Sequence, residues 1–181
     1  MSSNIPTPSL WTNDNLLADD AWLPIEPKVA TTIADGVLTC QAAPIEVCDP
    51  DEDPKVMAGF TQRIALNQAT RQAVWAKVET RPDAEFNTRR VQDYGLRVTF
   101  FDADDKRLSD AFIPVAWPGE DWTSIELHAI PTAPAASAEV QLCSLAVTGS
   151  AEFRNVRCVQ LSGDAISLDA NPLPAGTALN A

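Results

Sequence analysis

The chain has 181 residues, 45% of them hydrophobic, with 25 Asp+Glu against 13 Lys+Arg and a formal net charge of −12 at pH 7. That length fits one domain with a sizeable core, and the apolar fraction argues against disorder. The acidity excludes nucleic acid and anionic membrane as partners, because their phosphates would be repelled.

No run approaches the ~18 consecutive apolar residues of a membrane-spanning helix. The opening Met1-Ser2-Ser3-Asn4-Ile5-Pro6 has no basic segment followed by an apolar one, so no signal peptide is expected. Residues 1–14 are polar and carry Pro6 and Pro8, and they read as an N-terminal extension. The domain proper spans 15–161. Residues 162–181, with Pro172, Pro174 and Gly176, read as an extended C-terminal tail.

In chain order, the elements between these tails read as strands. Val29 to Ile33 alternates, and Asp35-Gly36 turns the chain into Val37-Leu38-Thr39-Cys40. Phe60, Gln62, Ile64 and Leu66 alternate with Thr61, Arg63 and Ala65. Val74, Ala76 and Val78 alternate with Trp75, Lys77 and Glu79, and Tyr94, Leu96, Val98 and Phe100 with Arg97, Thr99 and Phe101. Phe112–Val115, Ile125–His128, Val140–Cys143 and Ala151–Leu161 complete the series. Helical periodicity is nearly absent, and 14 Pro recur too often for long helices. Eight or nine short strands, each with one apolar face, predict an all-β chain: an antiparallel two-sheet sandwich of jelly-roll type.

The four cysteines, Cys40, Cys48, Cys143 and Cys158, have no metal or redox spacing. They read as small buried apolar residues, with Cys40–Cys48 and Cys143–Cys158 as the pairs that hairpins would bring together. Asp49, Asp51 and Asp53 begin like a calcium loop, but Pro54 and Phe60 stand where that loop needs Gly and Glu. Asp102, Asp104 and Asp105 read as a solvated turn.

The order of several segments resembles carbohydrate-binding modules of the xylanase- and cellulase-associated jelly-roll type, within the galactose-binding-like sandwiches. The segments are Asn15-Leu16-Leu17 with Trp22, Gln62 to Leu66, Ala73 to Thr80, Leu96 to Asp104, Trp122, Ala138 to Leu142, and Phe153-Arg154-Asn155-Val156. Similar sandwiches occur in phage decoration and tail proteins. The resemblance implies a structural calcium near the closing segment. Asn155 stands there where the family has an acid, and an amide is a weaker calcium ligand.

Sugar binding requires flat aromatic faces flanked by ordered polar groups. Trp75, Lys77 and Glu79 lie on the polar side of their strand, and Arg97 and Phe101 are expected to share that face from a neighbouring strand. Trp117, in Trp117-Pro118-Gly119-Glu120, is placed at a loop tip, whereas Trp22 and Trp122 read as core. Glu79 and Glu126 are the carboxylates to weigh for a glycosidase pair, which needs about 5–9.5 Å between the two groups. His128, the only imidazole, lies on the polar face of its strand, and no Gly-x-Ser-x-Gly elbow accompanies it.

Three functions follow as expectations. The first is a non-enzymatic subunit of a larger assembly, a bacteriophage virion decoration or tail protein, made in the cytoplasm. Its partners would be other protein subunits, further copies of itself included. The second is an extracellular carbohydrate-binding module of a polysaccharide-degrading system, with polysaccharide as its partner. The third is a jelly-roll glycoside hydrolase or lyase.

Overall fold

Along Val74–Pro82 every second side chain is buried, from Val74 through Ala76, Val78 and Thr80 to Pro82, and those between are half exposed. This is what an extended chain does when one face packs on a core and the other meets water. The computed structural model describes residues 17–18, 21–42, 58–66, 72–88, 94–115, 121–144 and 146–160. Both expected extensions, 1–14 and 162–181, lie outside the described residues.

The strands are β1 (Leu23–Pro24), β2 (Thr31–Ala34), β3 (Val37–Gln41), β4 (Ala58–Ala65), β5 (Val74–Pro82) and β6 (Asn87–Thr88). They continue as β7 (Tyr94–Phe101), β8 (Arg107–Pro114), β9 (Thr123–Ala129), β10 (Ser137–Ser144), β11 (Ala146–Thr148) and β12 (Ser150–Gln160). One five-stranded sheet runs β1-β4-β10-β7-β8 and the other β2-β3-β12-β5-β9, with β6 and β11 forming a small pair. Every pairing is antiparallel. The predicted two-sheet antiparallel sandwich is therefore the observed architecture. β8 begins at Arg107, earlier than its sequence shows. It is an edge strand on which only Ala111 is fully buried, so its alternation is weak.

The core fills the space between the sheets. Phe60, Leu96, Val98, Phe100, Val140 and Leu142 come from one sheet, and Val74, Val78, Leu127 and Phe153 from the other. Burying each such side chain contributes about 1.5–3 kcal/mol. Trp22 joins this core, as expected.

A polar contact crosses the apolar interior. Thr80 of β5 donates its hydroxyl to the Glu152 carbonyl at 2.9 Å. A threonine hydroxyl has one proton, so the Tyr94 hydroxyl of β7 must be the donor in the Thr80–Tyr94 bond. The Tyr94 ring packs on Phe86 at 4.8 Å and on Phe153 at 5.9 Å. Leaving either hydroxyl unpaired here would cost about 1–3 kcal/mol.

The acidic turns are built by their own side chains. Asp102 accepts hydrogen bonds from the amides of Asp104 and Lys106 at 3.0 and 2.9 Å. Asp83 accepts from the amide of Glu85 at 3.0 Å and from the Ser150 hydroxyl at 2.7 Å. These are Asx-turn contacts and explain the acids without a metal.

Cys40, Cys143 and Cys158 are buried, in line with the reading of small apolar residues. Cys143 sits on β10 and Cys158 on β12, in different sheets, so the hairpin at Gly149 does not pair them. Cys48 lies outside the described residues.

Burial raises the Cys40 and Cys158 thiols from 9.0 to about 12 and raises the Tyr94 phenol as well. A folded-state pKa above the unfolded one contributes stability that is complete below pH 9 and is lost as pH rises toward 12. Urea unfolding is expected to show stability falling between pH 9 and 11, by up to about 1.4 kcal/mol per pH unit for each such group. Cys158→Ala is expected to flatten that slope; an unchanged slope would show that Cys158 is not the buried thiol described.

Candidate functional site

Two outer faces are available for a ligand, and they differ in how well their polar groups are satisfied. On the sheet of β5, register aligns Trp75 with His128, Lys77 with Glu126 and Arg157, and Glu79 with Ser124 and Arg154. Lys77 Nζ lies 3.1 Å from Glu126, and Arg154 Nε lies 2.8 Å from Glu79. Arg81 lies 2.6 Å from Glu152. Trp75 Nε1 donates to Glu126 at 3.4 Å. Trp122 is not core, as its sequence context suggests, but half-buried on this face. The Arg154 and Arg81 guanidinium carbons stand 3.9 and 4.8 Å from its ring centroid.

Electrostatics here oppose acid catalysis. The hydrogen bond from Arg154, helped by one from Asn155, holds the Glu79 carboxyl below its usual range. A glycosidase acid needs the opposite shift. Burial lowers the His128 pKa, although Glu126 pulls it back up, so the imidazole is mainly neutral at pH 7. Glu79 and Glu126 are thus each tied to a cation, and the face reads as a closed ion-pair network.

Asn155 lies on the same sheet, at a bulge where β12 slips against β5. Its φ is 51°, in the left-handed region that Asn tolerates better than most residues. Its Nδ2 donates to Glu79 at 3.0 Å. Among the described residues no group of three or more His, Cys, Asp or Glu could hold a metal ion. The Asn155 amide nitrogen is thus engaged with Glu79 at the bulge.

The second face belongs to the sheet of β4, β10, β7 and β8. Register lines up Leu23, Thr61, Gln141, Arg97 and Phe112 in one row across five strands. At the usual strand spacing this row is about 19 Å long. The Arg97 guanidinium carbon lies 5.3 Å from the Phe112 ring centroid. Thr61 Oγ1 and Arg97 Nε are both buried and have no hydrogen-bond partner among the described residues. A buried polar group without a partner is costly, so two in one row call for an explanation.

Beside this row run Gly59, Cys143, Gly95 and Pro114. A Cβ on Gly59 would sit 1.9 Å from the Leu142 carbonyl oxygen, and one on Gly95 would sit 2.1 Å from that of Ile113. Gly59 also has φ of 129°, which side chains rarely adopt. Both glycines are buried, and neighbouring backbone leaves no space for a side chain at either position. On its other side Arg63 covers Phe101 at 4.4 Å, held by the Ser137 hydroxyl at 2.8 Å and by Asp105.

The structure divides the sequence-predicted set. Trp75, Lys77 and Glu79 face outward from one sheet, while Arg97 and Phe101 face outward from the other. The expected common face does not exist, because β5 and β7 lie in different sheets and not side by side. Trp117 lies outside the described residues. Thr61, Gln141 and Phe112 were missed as partners of Arg97. Alternation already puts Thr61 and Gln141 on polar faces, but only the strand order brings them into line.

No protein-family model and no curated protein matches the chain. Solved structures do. One is the Clostridium thermocellum endo-1,4-β-D-xylanase fragment of CBM22-1 and GH10 modules complexed with xylohexaose (TM-score 0.53, 12% identity, 84% of this chain and 27% of that one). The present chain thus spans only about a quarter of that protein. Another is the CBM22-1 xylan-binding domain of a Paenibacillus barcinonensis protein (TM-score 0.50, 11% identity, 80% of this chain and 88% of that one). A third is a cyclase from Fischerella sp. TAU in complex with an indolyl butanone (TM-score 0.50, 14% identity, 90% of this chain and 94% of that one). At such identities the likeness concerns fold alone, and the fold is a carbohydrate-binding-module-like β-sandwich.

Proposed function

We propose that the chain is a non-catalytic module that binds a polysaccharide along the row from Leu23 to Phe112. The pair of unpartnered buried atoms, Thr61 Oγ1 and Arg97 Nε, carries this reading. A sugar chain supplies what they lack, because each ring offers hydroxyls that donate and accept, and its C–H faces suit Phe112. The opposite face makes a poorer site, since a ligand there would first have to break the ion pairs of Glu79, Glu126 and Glu152. The arginine-held Glu79, its pKa lowered, is not suited to be the general acid of a hydrolase on that face.

Affinity electrophoresis in gels containing glucuronoxylan, mixed-linkage β-glucan or galactomannan checks this. Retardation is expected in at least one gel, weakened about tenfold or more by Phe112→Ala and Arg97→Gln. Trp75→Ala is expected to leave it unchanged. Binding that survives Phe112→Ala but not Trp75→Ala would assign the ligand to the other face.

A second reading, a subunit of a larger assembly such as a virion, is favoured by β2. This strand ends its sheet among the described residues, and its sequence Thr31-Thr32-Ile33-Ala34 holds no charge. Ile33 is 49% exposed. Edges of this kind are normally guarded by charge or proline, and a second copy could add its own β2. Light scattering is then expected to show an oligomer that Thr32→Lys returns to monomer. A wild-type monomer at high concentration contradicts this reading.

A further inference from the structure

We propose that Arg97 receives the carboxylate of an acidic sugar, so that the ligand is a mainly neutral polysaccharide bearing isolated uronate residues. This rests on the polysaccharide reading above and names the chemistry at one end of the same row.

The inference begins from an imbalance. In a chain with 25 acidic against 13 basic residues, a cation should find a carboxylate easily. Arg63, Arg81, Arg107 and Arg154 each do. Arg97 does not: its one recorded contact among the described residues is the Phe112 ring. Two carboxylates stand diagonally across from it, Glu139 on β10 and Asp110 on β8. Both are engaged elsewhere. Glu139 accepts from Gln141 Nε2 at 2.6 Å, and Asp110 pairs with Arg107. The local acids are thus held off the guanidinium, which lies against an aromatic ring with its Nε buried and unsatisfied.

A guanidinium fixed in this way is suited to a planar, two-oxygen acceptor. The side chain as a whole is half-buried, and the two Nη groups at its end form a fork that a carboxylate fills with two parallel hydrogen bonds. A neutral hydroxyl would meet only one donor and leave the charge uncompensated. The Thr61 hydroxyl, two strands away across Gln141, is placed to bond a ring hydroxyl of the same ligand. Its distance from Arg97, roughly 10 Å by strand spacing, leaves room for a sugar ring over Gln141.

Overall charge limits how acidic the ligand is. A net charge of −12 disfavours a dense polyanion for the reason that it disfavours nucleic acid. A single carboxylate at Arg97 escapes this penalty, because charges beyond the ~8 Å Debye length are largely screened at physiological salt. Sparse uronates on a neutral backbone satisfy both conditions.

The test compares glucuronoxylan with the same polymer after carboxyl reduction, by isothermal titration at 0.15 M salt. Wild type is expected to bind glucuronoxylan about tenfold or more tightly than the reduced form. Arg97→Gln is expected to bind both equally and weakly, and Arg97→Lys, which keeps charge without the fork, is expected to recover only part of the preference. Thermal melting of each variant separates loss of binding from loss of fold. Equal wild-type binding to both polymers would overturn the uronate assignment and leave the polysaccharide reading standing. Binding to neither would also overturn the uronate assignment, and absence of retardation in all three gels would overturn the polysaccharide reading with it.

Discussion

The hydroxyls of Thr80 and Tyr94 meet inside an otherwise apolar core, and they come from different sheets. That contact fixes which way two strands face. With Thr80 inward on β5, the residues Trp75, Lys77 and Glu79 point out of one side of the sandwich. With Tyr94 inward on β7, Arg97 and Phe101 point out of the other. A shift of either strand by one residue would reverse its whole set of side chains and bury charge in place of valine and leucine. The identity of each outer face, and hence of any surface site, follows from this parity.

The two faces solve the problem of polar groups on a sheet in different ways. Around β5, each of Lys77, Arg81 and Arg154 meets a glutamate, and Trp122 is held between two guanidinium groups. Such partly exposed pairs contribute little stability each, but together they leave a ligand little to gain. Around β7, Arg97 and Thr61 keep buried polar atoms without partners, beside glycines that cannot carry a side chain. Stability alone would favour removing those groups, because an apolar replacement would cost nothing in lost hydrogen bonds. Their presence in one row is the observation on which the proposed polysaccharide site rests.

Much of this fold is legible in the sequence, because the signal for a half-buried strand is local. Tyr94 to Phe101 and Val74 to Glu79 announce their inner and outer residues by alternation alone. What alternation does not carry is neighbourhood. It puts Trp75 and Arg97 on polar faces, but whether β5 lies beside β7 or behind it depends on long-range pairing. Besides β8, the strand that lies beside β7 is β10, more than forty residues further along, and it brings Gln141 to Arg97. Trp122 misleads for a related reason, since a large aromatic reads as core when the two arginines that flank it are distant in sequence. Asn155 also meets a local need that its place in a family pattern does not reveal, a residue that accepts a positive φ at a bulge.

The central claim is that ligand meets the β4-β10-β7-β8 face. The most direct measurement is an amide and side-chain NMR titration of the protein with soluble glucuronoxylan oligosaccharides. The account predicts shifts at Thr61, Gln141, Arg97 and Phe112, with the indole signals of Trp75 and Trp122 unmoved. Shifts confined to those indoles and to Lys77 and Glu79 would contradict it and place recognition on the ion-paired face.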